Sequence, residues 1–87
     1  MTQKERVKKA IETASRILEE NHVYFSDISQ FHDLPAISIE IIGDWKHAHL
    51  LANHVLEMNG FCFVSEVSVE QTDDDCYTSE HRYVIPE

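Results

Sequence analysis

The periodicities of this 87-residue chain predict an α+β fold, a two-layer sandwich in the order α-β-α-β-β. Two stretches carry apolar residues at helical spacing, three alternate with a period of two, and polar or glycine-bearing breaks separate them. Residues 1–87 form one domain, because a chain this short holds a single hydrophobic core.

The first helix opens on a capping box, Thr2 with Glu5 three residues later. Val7, Ala10, Ile11, Ala14, Ile17 and Leu18 follow at spacings of three and four, one apolar stripe on a helix that ends near Asn21. Residues 22–35 mix Val23, Tyr24, Phe25, Ile28 and Phe31 with polar residues in no sustained period. This segment is expected to be a packed connection with a short helical turn from Ser26, and Pro35 sets Leu34 extended.

Residues 36–42 alternate, with Ile37, Ile39 and Ile41 on one side and Ser38, Glu40 and Ile42 on the other. Gly43 ends that strand, and Asp44 is placed to cap a second helix running to Met58, before Asn59 and Gly60. On it Trp45, Ala48, Leu51, Ala52, Val55 and Leu56 fall within an arc of about 140°. Residues 61–70 alternate again, with Phe61, Phe63, Val67 and Val69 against Cys62, Val64, Glu66, Ser68 and Glu70. After the acidic turn at 71–75, residues 77–85 close a hairpin, with Tyr77, His81, Tyr83 and Ile85 against Thr78, Glu80, Arg82 and Val84.

A right-handed crossover makes the first two strands parallel, and the hairpin makes the third antiparallel to the second. With the third strand between the others, every neighbouring pair is antiparallel. A three-stranded, mostly antiparallel sheet of order 1-3-2 with both helices on one face is therefore expected; the alternative leaves strands one and two adjacent.

Charge narrows the partners. The net charge is −9, unevenly spread: five basic and four acidic residues give +1 over residues 1–20, while two basic and twelve acidic residues give −10 over the rest. Such a chain repels nucleic acid and anionic membrane, so neither is expected as a direct partner. Nothing in the chain approaches the roughly 18–20 apolar residues of a membrane span. The polar, helical N-terminus differs from a secretory signal, and a cytoplasmic location is expected. Cys62 and Cys76 lack metal or disulfide spacing and are expected to be reduced thiols that could approach across the hairpin.

If the Ile, Phe and Tyr positions face the helices, Glu40, Glu66, Glu70 and Glu80 point to the open face of the sheet. Asp73, Asp74 and Asp75 extend that surface at the turn, and Arg82 is expected to pair with a Glu in its cross-strand row. The bland reading is a solvated sheet face; the sharper one is a row of phosphate mimics that occupies a Lys- and Arg-lined channel. Three of six histidines lie in the second helix. His47 and His54 are seven apart, about 10 Å along the axis, too far for one ion without help from Cys62 or Glu57. His49 lies at the other margin of the apolar arc, and rim histidines are expected, with no metal and no cofactor. A cysteine–histidine nucleophile is set aside, since neither thiol lies at a helix N-terminus or in a basic setting.

The expectation is thus a small, acidic, non-catalytic binding protein whose partner is a protein with a basic surface. An inhibitor of a host nuclease or defence complex, of the kind phages and other mobile elements make, suits its size and charge. The alternative is an assembly module that self-associates, as a homodimer, through a sheet edge or helix face. Trp45 is expected in the core.

Overall fold

A computed structural model, which describes residues 2–86, lays two helices on one face of a four-stranded antiparallel sheet. Helix α1 spans Gln3–Glu20 and begins at Thr2, whose hydroxyl accepts from the Glu5 amide at 3.2 Å. The same hydroxyl donates to the Glu5 carboxylate at 3.0 Å, which closes the capping box between the side chains. Val7, Ala10, Ala14, Ile17 and Leu18 are buried, as the stripe requires. Asn21 donates to the Ile17 carbonyl at 2.8 Å, and His22, at φ 59°, turns the chain toward the sheet.

The next element corrects the expected connection. Phe25–Gln30 is strand β1, and it pairs antiparallel with the outer side of β2, Ala36–Gly43. Phe25 faces Ile41 and Ile28 faces Ile39, so both apolar side chains lie on the helix side although they are three residues apart. An extra residue between Phe25 and Asp27 makes this possible, and it is the reason no period of two shows in the sequence.

Strands β3, Cys62–Asp73, and β4, Cys76–Val84, form the hairpin, and β4 lies between β2 and β3. The full order is β1-β2-β4-β3, so the expected three-stranded sheet is a four-stranded one extended by β1. Cys62 stands opposite Val84 and Cys76 opposite Asp73, at opposite ends of the hairpin, so the two free thiols do not meet.

The second helix is not uniform. Trp45–Leu50 is a π-helical turn that runs into α2, Leu51–Met58. Asp44 caps it, accepting from the His47 amide at 3.0 Å, and the His49 amide reaches back five residues to the Asp44 carbonyl at 3.5 Å. Gly43 permits this widened turn to sit against the end of β2: a Cβ there would lie 2.6 Å from the Cβ of Ala48. Ile37, Ile39 and Ile41 of β2, Tyr83 of β4, and Leu18, Ala14, Ala52 and Leu56 of the helices form the fully buried centre. No helix among the described residues is long and apolar enough to cross a membrane.

Candidate functional site

The open sheet face carries a row of carboxylates. Asp27 of β1 stands opposite Glu40 of β2, which stands opposite Glu80 of β4. Adjacent strands lie about 4.8 Å apart, so three like charges share one cross-strand row. Neighbouring hydroxyls hold two of them: Ser26 donates to Glu40, and Ser38 donates to Glu80. Glu70 faces Thr78 on the same side, two residues along β4 from Glu80, and exposed Asp73, Asp74 and Asp75 follow at the turn. Arg82 pairs with Glu80 on its own strand at 3.6 Å, not with a residue across the row, and its guanidinium lies 4.3 Å over the Phe31 ring.

Glu66 does not belong to this face. Phe63 pairs with Tyr83 and Ser65 with Arg82, so Val64 is an extra residue, and beyond it every side chain changes sides. Glu66 therefore stands opposite His81 and points under the helices, while Val67 takes the open face opposite Glu80. A second irregularity between Val67 and Glu70, where Ser68 takes φ 55°, restores the original phase. Glu70 is thereby returned to the open side.

The inward turn of Glu66 completes a buried polar cluster. His49 and His81 are 1% and 0% exposed, Ser79 is 1% exposed, and the Glu66 side chain is 17% exposed. His49 Nδ1 lies 2.9 Å from His81 Nε2, and Glu66 Oε2 lies 3.0 Å from His81 Nε2 and 3.7 Å from His49 Nδ1. Ser79 Oγ is 2.9 Å from His49 Nδ1, 3.0 Å from His81 Nε2 and 2.8 Å from Glu66 Oε2.

Outer partners hold each ring by its outward nitrogen. His49 Nε2 is 2.9 Å from the Tyr77 carbonyl, which can only accept, so Nε2 is protonated and donates there. The Tyr83 hydroxyl donates to Asn53 Oδ1, and His81 Nδ1 donates to that same oxygen at 3.0 Å, which leaves His81 Nε2 a lone pair. Burial, followed by the nearby charge of His49, pushes the His81 pKa down to about 4, so this ring is neutral at neutral pH. Burial raises the Tyr83 hydroxyl well above its ordinary value, reinforced by the charges of Glu66 and Glu57.

Three separate devices build the cluster. The π turn rotates each residue by less than an α-helix does, which carries His49 from the margin of the apolar arc to its buried side. The bulge at Val64 brings in Glu66, and plain alternation of β4 supplies Ser79, His81 and Tyr83. Trp45 stacks on His49 at 5.2 Å and meets Tyr77 edge-on at 5.8 Å; at 38% exposed it is a partial lid and not a core residue. His47 and His54, the pair whose spacing raised a metal question, are exposed, with His47 hydrogen-bonded to Asp44 at 2.9 Å. One signal for the cluster was legible: a histidine and a tyrosine alternating on the helix-facing side of β4 need polar partners from the layer above.

Comparison of the chain with protein-family models, with curated proteins and with solved structures finds no match.

Proposed function

We propose that this is a non-catalytic acidic binding protein that lays its open sheet face on the basic, phosphate-binding surface of a protein partner and competes there with nucleic acid. The observation that carries this proposal is the Asp27–Glu40–Glu80 row, continued by Glu70 to the exposed Asp73, Asp74 and Asp75 at the turn. Arg82 on this face is already engaged by Glu80 and Phe31, and Lys46 stands near Asp75 at the turn end. A surface that gains affinity by neutralising phosphates offers the same long-range attraction to such a carboxylate array. An inhibitor of a nuclease or defence complex, of the kind mobile elements make, is the form of this function that the chain's size and charge suit.

An apolar groove of about 330 Å³ adjoins the acids at the other end of the face, lined by Phe31, Leu34, Val64, Val84 and the stem of Arg82. It supports the reading by offering the desolvated contact that a charged rim alone lacks. Catalysis is disfavoured because Ser79, His49 and His81, the residues that could be drawn as a hydrolytic set, are closed to a substrate.

The test is capture of the partner from extracts of the source cells. The bound partner should be released by raised NaCl and by duplex DNA or RNA. A variant carrying Asp27→Lys, Glu40→Lys, Glu70→Lys and Glu80→Lys should capture nothing while keeping its fold by circular dichroism. Undiminished capture by that folded variant refutes the proposal. Sedimentation reads the self-association alternative: a dimer dissociated by Leu34→Ser with Val64→Ser would replace docking on a basic partner.

A further inference from the structure

The polar cluster under the helices gathers residues of the kinds that hold metal ions: His49, Glu66 and His81 each offer one ligand atom, and these atoms lie within 4.8 Å of one another. His49 Nδ1 and His81 Nε2 face inward because the outer nitrogen of each ring donates, to the Tyr77 carbonyl and to Asn53 Oδ1, while Ser79 Oγ donates to Glu66 Oε2. Four ligand-type atoms therefore converge, with the two ring nitrogens 2.9 Å apart. Among the described residues the one buried side-chain nitrogen or oxygen without a hydrogen-bond partner is Arg82 Nε, so the cluster atoms are partnered by one another and by their outer contacts.

Their arrangement is that of a ligand set. The six separations among the four atoms run from 2.8 to 3.7 Å, so the atoms form the corners of a slightly compressed tetrahedron. Ligands about 2.0–2.1 Å from a tetrahedral Zn²⁺ lie roughly 3.3 Å apart, so an ion at the centre asks each donor to move outward by only a few tenths of an ångström. Each imidazole is oriented from behind, His49 by the Tyr77 carbonyl and His81 by the Asn53 oxygen, as metal-bound histidines require.

We propose that His49 Nδ1, His81 Nε2, Glu66 Oε2 and Ser79 Oγ bind a divalent transition metal of the zinc class. Two imidazole nitrogens with two oxygens favour zinc over calcium or magnesium, which take oxygen ligands in larger number. Four protein donors leave no position for a reacting water, so the site is structural: it ties the π turn and α2 to the hairpin. Glu66, the one partly exposed member, gives the ion its way in. This inference is independent of what the open sheet face binds.

The test uses the full chain, purified without a histidine tag, stripped with a chelator and titrated with ZnCl₂. Trp45, the chain's single tryptophan, stacks on His49 and supplies the fluorescence signal. One equivalent of Zn²⁺ should bind, raise the melting temperature and change Trp45 emission, and Co²⁺ should give the visible bands of a tetrahedral site. Glu66→Gln, nearly isosteric and at the rim, should weaken Zn²⁺ binding at least tenfold while keeping the native circular dichroism, and Ser79→Ala should weaken it too. The doubly substituted His47→Gln, His54→Gln protein should bind as the parent does. Absence of uptake and of any melting shift in the stripped parent would overturn the proposal. So would uptake that is lost with His47 and His54 but indifferent to Glu66, which marks adventitious surface binding.

Discussion

Charge reversal at Glu66 and at Glu70 separates the structure from simple strand alternation. The two residues lie four apart on one strand, so strict alternation puts them on one face with equal tolerance to lysine. In the structure Glu66 accepts from Ser79 at 2.8 Å and lies 3.0 Å from His81, whereas Glu70 is exposed opposite Thr78. Glu66→Lys removes a carboxylate from buried partners and thrusts an ammonium at two imidazoles, a change of the kind that costs about 3–5 kcal/mol. A domain of this length holds roughly 4–13 kcal/mol in all. Each kilocalorie corresponds to about 4–8 °C in melting temperature, so a fall of at least roughly 12 °C is expected. Glu70→Lys should stay within about 0.5 kcal/mol of the parent. Urea unfolding followed by circular dichroism, with chelator present so that metal plays no part, measures both. Equal stability of the two variants would refute the bulge at Val64 and the inward placement of Glu66.

Gly43→Ala places a Cβ 2.6 Å from that of Ala48 at a backbone φ of +154°, and should cost about 2–4 kcal/mol in urea unfolding, with a changed Trp45 emission as the π turn shifts. Asp27→Thr relieves repulsion with Glu40 and installs a better strand former; it should stabilise by about 0.5 kcal/mol at low salt and by less at high salt. Tyr83 is raised in the folded state above its ordinary value of 10.0, so its contribution to stability is complete below that pH and is lost as pH rises beyond it. Alkaline titration of absorbance at 295 nm should show one of the three tyrosines silent until the protein unfolds, and Tyr83→Phe should leave the native-state amplitude unchanged.

Where a helix or strand obeys one period from end to end, its residues announce their neighbours. The α1 stripe from Val7 to Leu18 and the alternation of Ile37, Ile39 and Ile41 were legible for that reason, as were the caps at Thr2 and Asp44. β1 escaped because one extra residue between Phe25 and Asp27 leaves its apolar side chains three apart, a spacing that mimics a helical turn. Glu66 escaped for the same physical reason at Val64, and His49 because a π turn shifts the wheel.

The sequence by itself determined the fold class, the two helices, the strands from Ala36 onward and an acidic sheet face, since these depend on local periodicity and on charge. Only the tertiary structure decided which acids share that face and which polar residues meet beneath the helices. Bulges and π turns add one residue where pairing and packing across the molecule can absorb it. One added residue exchanges the two faces of a strand, so Glu66 moved from the solvated row to two buried histidines, and Asp27 took a place beside Glu40.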